Sequence, residues 1–474
     1  MHRLTPKRRA IGETFVMHGP VDKPPGGLDP SGRDSNLAFK IKDIIPSLPE
    51  IHRSVPIPAV AGFFRKLAAF AGPGYLVAVG YMDPGNWATA LAGGSAYGYT
   101  LLSVALISSL IAMLLQVMCS RLGIVTGRDL AQLCREEFPR PVAYTLWLLA
   151  EIAIIATDLA ELLGTAIALQ LLFGIPLLLG VMLTALDTFL ILWLQNKGVR
   201  WLESFIIAMI LTILACFTVE IALAAPDIGP LLRGYFPSPE IIGNPDMLYL
   251  AIGILGATVM PHNLYLHTAV VQSRNIGKTD EAKREAIRFA GIDSTIALTI
   301  ALVINSSILI LAAATFHEAG KTEIADIQEA YKLLAPMLGL GLASTLFAVA
   351  LLASGLNSTV TATLSGQVVM QGFLQFHMPM WLRRLTTRLV AIVPAVVVTW
   401  LYQVTGTTEL LVLSQVILSL QLPFAVVPLM MFIGSPRLMA GFLPPRWMIV
   451  TGWVCAALIV AINLKLLYDW VLGH

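Results

Sequence analysis

The chain has 474 residues, 57% of them hydrophobic and only 13% charged, with 31 Lys and Arg against 29 Asp and Glu. Soluble domains carry roughly 25% charged residues, and mean hydropathy is high at +0.77; the long apolar runs leave no soluble segment able to hold a core. These figures exclude a string of soluble domains and point to a single all-α integral membrane domain with no nucleic-acid partner.

Taken from the start, residues 1–60 are polar, Pro-rich and basic, with Arg3, Lys7, Arg8 and Arg9 followed by no apolar run before residue 55. That pattern is not a signal peptide. It predicts a largely disordered cytoplasmic tail, with the membrane domain occupying 61–474. Cys119, Cys134, Cys216 and Cys455 are scattered without a C-x-x-C pair, which argues against a thiolate metal site or a disulfide framework.

Runs of about 20 apolar residues predict eleven spans: 67–94, 101–121, 142–172, 175–195, 200–224, 246–272, 287–315, 337–364, 385–403, 408–433 and 447–470. The third is long, but Gly174-Ile175-Pro176 is the first credible turn after Pro141, so it stays one helix. With the N-terminus inside, 27 of the 31 Lys and Arg fall in the tail, the inner loops or the inner helix ends. Only Arg233, Lys321, Lys332 and Lys465 lie outside. The positive-inside rule therefore predicts a cytoplasmic N-terminus and an external C-terminus.

The first span contains Gly80-Tyr81-Met82-Asp83-Pro84-Gly85-Asn86-Trp87. Pro84 removes a backbone donor and Gly85 weakens the helix further, so the chain should unwind in mid-membrane. The freed carbonyls must then face protein or a water-filled cavity. The sixth span repeats the device at Ala257-Thr258-Val259-Met260-Pro261-His262-Asn263. Spans one to five and six to ten thus form two sets of opposite orientation, each opening on an interrupted helix. Such a pair points to a midplane binding site, and the eleventh span is accessory.

An ionisable residue at that depth marks a functional site. Asp83 offers an anionic oxygen, Asn86 a neutral one, Gly80 and Ala257 their carbonyls, and Met260 a thioether. Oxygen alone suits Mg²⁺ or Ca²⁺, whereas a sulfur shifts preference toward softer transition ions. A lone Met in an apolar helix is ordinarily packing; here it directly precedes the helix-breaking Pro.

Asp-Pro-Gly-Asn at 83–86 and Met-Pro-His at 260–262 resemble the motifs of the Nramp family of divalent-metal transporters. Tyr97-Gly98-Tyr99, Thr157-Asp158-Leu159-Ala160-Glu161 and Leu352-Ala353-Ser354-Gly355 are similar too. The resemblance runs over about 67–470 and omits the tail. It implies a LeuT-like five-plus-five inverted repeat and symport of Mn²⁺, Fe²⁺, Cd²⁺ and similar ions with protons, in the inner membrane of a bacterium, by a monomer or weak homo-oligomer without a bound cofactor. By motif match, Asp83, Asn86 and Met260 would be side-chain ligands, with Gly80 and Ala257 giving carbonyls. Gln415 matches a polar position near the metal. Family members often carry Ala where Gly80 stands, which matters little for a carbonyl. The magnesium-transporting branch lacks the Met, so Met260 favours the transition-metal branch.

Glu151, Asp158 and Glu161 on the third span are spaced by seven and three residues, which puts them within about 80° of one helical face. An acidic stripe in a membrane cannot face lipid. His262 and His267 add groups that titrate nearest neutral pH, and Arg383 and Arg384 at the start of the ninth span could pair with the acids. The resemblance implies a proton path from Asp83 along this helix. Glu151 and His267 are equally well explained as satisfied interior groups.

Two other classes compete. A LeuT-type symporter of Mg²⁺, an organic cation or an amino acid would share the fold, and metal-dependent uptake discriminates it. An intramembrane metalloprotease would need His-Glu-x-x-His, which the sequence lacks, so no enzyme is expected. A channel would need repeated filter loops, and none is evident.

Overall fold

A computed structural model of the chain describes residues 45–58, 60–186, 193–194, 197–375 and 380–472, with only some side chains between 380 and 405. Apart from a two-residue parallel pairing of Val55–Pro56 with Arg274–Asn275, the described elements are helical. They are α1 (Phe63–Phe70), α2 (Pro73–Gly80), α3 (Pro84–Tyr97), α4 (Leu102–Thr126), α5 (Leu130–Glu137), α6 (Arg140–Phe173), α7 (Leu177–Leu183), α8 (Val199–Ala224) and α9 (Ile228–Gly234). After a short turn follow α10 (Pro245–Thr258), α11 (Pro261–Val270), α12 (Asp280–Ala312), α13 (Ile327–Leu338), α14 (Leu342–Leu374), α15 (Met380–Gln421), α16 (Pro423–Ile433) and α17 (Arg446–Leu472).

Among the described residues, eight helical segments are long and apolar enough to cross a membrane. They match the second, third, fifth to eighth, tenth and eleventh predicted spans. The first span divides into α2 and α3, and each half is too short to cross alone. Of the fourth, 175–186, with α7, and 193–194 are described, and the remainder lies outside the described residues. The predicted separation of the ninth and tenth spans is not seen, since the backbone is helical without a break from Met380 to Gln421. Thr and a single Gly do not interrupt an apolar helix as Pro does, and the break comes instead before Pro423.

The third span is one helix of 34 residues. It stops where Gly174 adopts φ +68°, the left-handed conformation that a glycine C-cap supplies without strain. Against α6 lie α14 and α15, and α12 packs on α4. These five long helices pack around the broken pair. The half-helices α2 and α11 meet each other and α14, while α3 and α10 meet each other and α15.

Residues 45–58, assigned to the tail from sequence, pack under the bundle. Leu48, Ile51 and Val55 are buried, Ser47 Oγ donates to Asp129 Oδ2 at 2.6 Å, and Gln132 Nε2 donates to the Ile45 carbonyl at 3.0 Å. Asp129 is also the N-cap of α5, in a capping box with Gln132, so one buried carboxylate fixes both the helix start and the strap. The packed part of the chain therefore begins by residue 45.

Candidate metal centre

Both breaks have the same local cause. Asp83 and Met260 are extended N-cap residues, at φ −63° and −62°, each followed by a proline at the first helical position. Proline is preorganised for that position but cannot donate. Pro84 stands four residues after Gly80 and Pro261 four after Ala257, so neither carbonyl has its i+4 donor, and no donor among the described residues takes its place. The next carbonyls are covered. Tyr81 O accepts from Asn86 Nδ2 at 2.6 Å and Asn305 Nδ2 at 2.8 Å. Met82 O accepts from Trp87 Nε1 at 3.3 Å and from Ser354 Oγ.

Three close approaches bring the breaks to one place. A side-chain carbon on Gly80 would sit 2.3 Å from Asn263 Nδ2, which places the end of α2 against the start of α11. A carbon on Gly256 would sit 2.1 Å from the Gln415 carbonyl, and one on Gly85 would sit 1.7 Å from Gln415 Nε2. Gln415 thus spans from the residue before Ala257 to the Asp-Pro-Gly turn. Its Nε2 donates to Asp83 Oδ2 at 3.1 Å, while Asp83 Oδ1 caps Asn86 N at 2.9 Å.

Asp83, Met260, Ala257 and Gln415 are 0% exposed and Asn86 1%. A buried carboxylate with no cation beside it is costly, and none of the ion pairs among the described residues involves Asp83. Buried polar atoms are almost always hydrogen-bonded. Yet Gln415 Oε1, Asn263 Oδ1 and Nδ2, Asn305 Oδ1, Thr258 Oγ1 and His262 Nε2 are buried without a hydrogen bond. Their crowding around the two turns, beside an uncompensated carboxylate, is what a site for a polar or cationic ligand requires. Asn263 and Asn305 were not singled out from sequence. Asn263 lies in the Met-Pro-His-Asn run, but nothing in the sequence ties Asn305 to the turn 224 residues earlier.

The acids of α6 divide. Asp158 and Glu161 are buried, whereas Glu151 is half-buried and accepts from Trp147 Nε1 at 3.1 Å. His262 reaches this helix, its Nδ1 3.5 Å from Thr157 Oγ1. A carbon on Gly164 would sit 2.0 Å from Pro84 Cβ, so the turn after Glu161 abuts the first break. His267 points elsewhere. Its Nδ1 lies 2.7 Å from Gln116 Oε1 and its Nε2 3.4 Å from Ser294 Oγ, and Gln116 Nε2 donates to the Tyr81 hydroxyl. The side chains of Arg383 and Arg384 lie outside the described residues. No group of three or more His, Cys, Asp or Glu able to hold a metal occurs among the described residues, so a cation here must rely on mixed ligands.

Comparison with known proteins decides the lineage. The profile of the Nramp family, natural resistance-associated macrophage protein-like, matches residues 74–469. The chain belongs to the Nramp family. Its Nramp relatives include proteins named divalent metal cation transporter MntH. The one from Agrobacterium fabrum is 58% identical over 95% of both chains. The one from Xanthomonas campestris is 59% identical over 92% of this chain and 98% of its own. A solved Nramp structure, the manganese transporter of Eremococcus coleocola, is 42% identical, covers 90% of each chain and superposes with a TM-score of 0.82. Mhp1, a nucleobase-cation-symport-1 family transporter in a closed conformation, is only 16% identical, with a TM-score of 0.55 over 84% of this chain and 92% of its own. That likeness is of fold alone. These relatives are named as transporters, in keeping with the expectation of no enzyme.

Proposed function

We propose that this Nramp protein imports divalent transition-metal ions, Mn²⁺ first among them, in symport with protons by alternating access. The observation that carries the reading is the buried Asp83 carboxylate where two helix breaks cross, with the donor-less carbonyls of Gly80 and Ala257 and the orphaned Gln415 Oε1 beside it. Asp83 would neutralise part of the dication's charge. Asn86, Gln415 and the two carbonyls would replace water oxygens, and Met260 would add a sulfur. The repeated Asp-Pro and Met-Pro interruptions and the likeness to Mhp1 support a five-plus-five inverted repeat with α17 accessory. The distribution of Lys and Arg supports a cytoplasmic N-terminus and external C-terminus in a bacterial plasma membrane. Calorimetric titration of the purified protein tests the site. Mn²⁺ should bind and Mg²⁺ should bind far more weakly, whereas absence of Mn²⁺ binding would remove the basis of the reading.

Asp158 and Glu161, with His262 between them and the break, are proposed to pass the proton. Asp158→Asn and Glu161→Gln should slow proton entry by about 10²–10⁴-fold, the usual contribution of a positioned proton-transfer group. Mn²⁺ affinity should change less than threefold, because neither acid is placed in the coordination shell. Proton flux in liposomes and calorimetry on the same variants check this. Loss of Mn²⁺ binding with full proton flux would reverse the roles.

Selectivity is assigned to Met260. Met260→Ala should keep part of Mn²⁺ transport while letting Ca²⁺ or Mg²⁺ compete roughly tenfold better, about 1.4 kcal/mol of discrimination. A hard ion gains little from a thioether, and removing the side chain admits a water. Unchanged competition by excess Ca²⁺ would leave Met260 as packing only.

A further inference from the structure

Away from the metal centre, α4, α12 and residues 441–443 border a groove of ≈ 640 Å³ whose lining includes Arg121, Arg284 and Arg288. Three cations converge there, and no carboxylate lies within 4 Å of any of them among the described residues. The acid between them in sequence, Glu285, is held by Lys66 at 2.5 Å. Lys283 is occupied too, donating to the Val125 carbonyl at 3.2 Å. Among the described residues Arg121 reaches only the Phe442 and Leu443 carbonyls, at 3.4 and 3.3 Å, and its Nε is buried with no partner. The Arg284 guanidinium lies 5.1 Å from the centre of the Phe442 ring, which fixes its plane without neutralising its charge.

The rest of the lining is apolar. Val117, Ile287, Ile292 and Ile296 continue the groove along the helices, and Ile296 and Leu443 are each 40% exposed, at its edge. Gly291 keeps the groove open, since a side-chain carbon there would meet only the Val117 methyls, at 3.8 and 3.9 Å. The volume falls within the roughly 300–1,000 Å³ of small-molecule pockets.

We propose that this groove holds an anionic phospholipid from the adjoining leaflet, its phosphate on the three arginines and an acyl chain along Ile292 and Ile296. Guanidinium forks suit phosphate oxygens, and basic pockets between membrane helices bind acidic headgroups. A free anion would gain nothing from the apolar half of the groove, and a zwitterionic lipid would bring a cation to a site that already holds three.

The test is native mass spectrometry of the full chain in detergent, with phosphatidylglycerol and phosphatidylcholine of identical chains. The wild-type protein should retain phosphatidylglycerol preferentially. The Arg284→Gln/Arg288→Gln double variant should retain it roughly thirtyfold less, at about 1 kcal/mol per lost cation. Gly291→Leu, which keeps every charge but fills the groove, should also lose retention. Both variants should unfold thermally at the wild-type midpoint, since they leave the buried contacts of the bundle intact. Equal retention of the two lipids, or undiminished phosphatidylglycerol on the double variant, would overturn the proposal. So would complete displacement by inorganic phosphate, which would make this a free-anion site. None of these outcomes depends on metal transport, so the metal-site reading stands or falls separately.

Discussion

Asp83→Asn should bind Mn²⁺ at least thirtyfold more weakly than the wild type and take up almost none, while inserting and folding normally. Removing one partner of a buried charge pair costs about 2–5 kcal/mol or more, which corresponds to roughly thirtyfold to several thousandfold in affinity. The bound dication would be left without an anionic ligand at membrane depth. The substitution spares the fold because Asn keeps the oxygen that caps Asn86 N, while its amide nitrogen, standing where the second oxygen accepts from Gln415 Nε2, can instead donate to Gln415 Oε1, a buried acceptor without a hydrogen bond. Asn is as good an N-cap as Asp. Calorimetry and uptake, with thermal unfolding as the control for folding, check the result. Wild-type affinity in a folded variant would remove Asp83 from the coordination shell.

Arg274→Ala should destabilise the protein by about 3–5 kcal/mol, the usual consequence of breaking a buried ion pair by removing one partner. Arg274 is 1% exposed and Glu203 3%, and their contact is 2.6 Å. The same guanidinium donates to the carbonyls of Ala69 at 3.1 Å, Phe70 at 3.1 Å and Ala71 at 2.7 Å. These carbonyls lie at the end of α1 and the start of its connection to α2. Arg200 also donates to Ala69 and Ala71, and Asp293 accepts from Gly72 N at 3.3 Å and Gly74 N at 2.7 Å. Gly72 sits at φ +146°, and a side-chain carbon there would fall 2.2 Å from the Glu203 carboxyl. The clamp therefore grips the entry to the first broken helix from the end of the second. The double variant Arg274→Met/Glu203→Met should recover part of the lost stability, because the buried Glu203 carboxylate goes with its partner, and Arg200, which pairs with Glu203 at 3.3 Å, is partly exposed. A wild-type unfolding midpoint for Arg274→Ala would show that the pair carries no structural weight.

What could be read from the sequence follows from how local the causes are. The breaks at Asp83-Pro84 and Met260-Pro261 were legible because proline acts on its own helix, four residues back. The end of α6 at Gly174 was legible because a left-handed C-cap is also a local event. The side-chain types standing at the breaks, Asp83, Asn86 and Met260, followed from the same short segments. The clamp was not legible. Glu203 and Arg274 are 71 residues apart, and each alone reads as an end-of-span polar group. Asn305 and Gln116 were missed for the same reason, since each looks like an ordinary polar residue until the fold sets it against Tyr81. His267 differs from His262 for the opposite reason. It sits five residues after His262 on one short helix, yet the two rings leave that helix toward different neighbours, Gln116 and Thr157. Between the ninth and tenth predicted spans stand only Val404-Thr405-Gly406-Thr407, none of which lacks the backbone donor whose absence made the proline breaks readable.

The central claim is that metal and proton enter together through a site built on Asp83. It is tested most directly in proteoliposomes containing a pH dye and given external Mn²⁺, with wild type and Asp83→Asn side by side. Wild-type vesicles should accumulate Mn²⁺ and acidify in step, faster with an inward proton gradient, and Asp83→Asn vesicles should do neither. Mn²⁺ accumulation in wild-type vesicles with no accompanying acidification, or undiminished uptake by Asp83→Asn, would contradict the account.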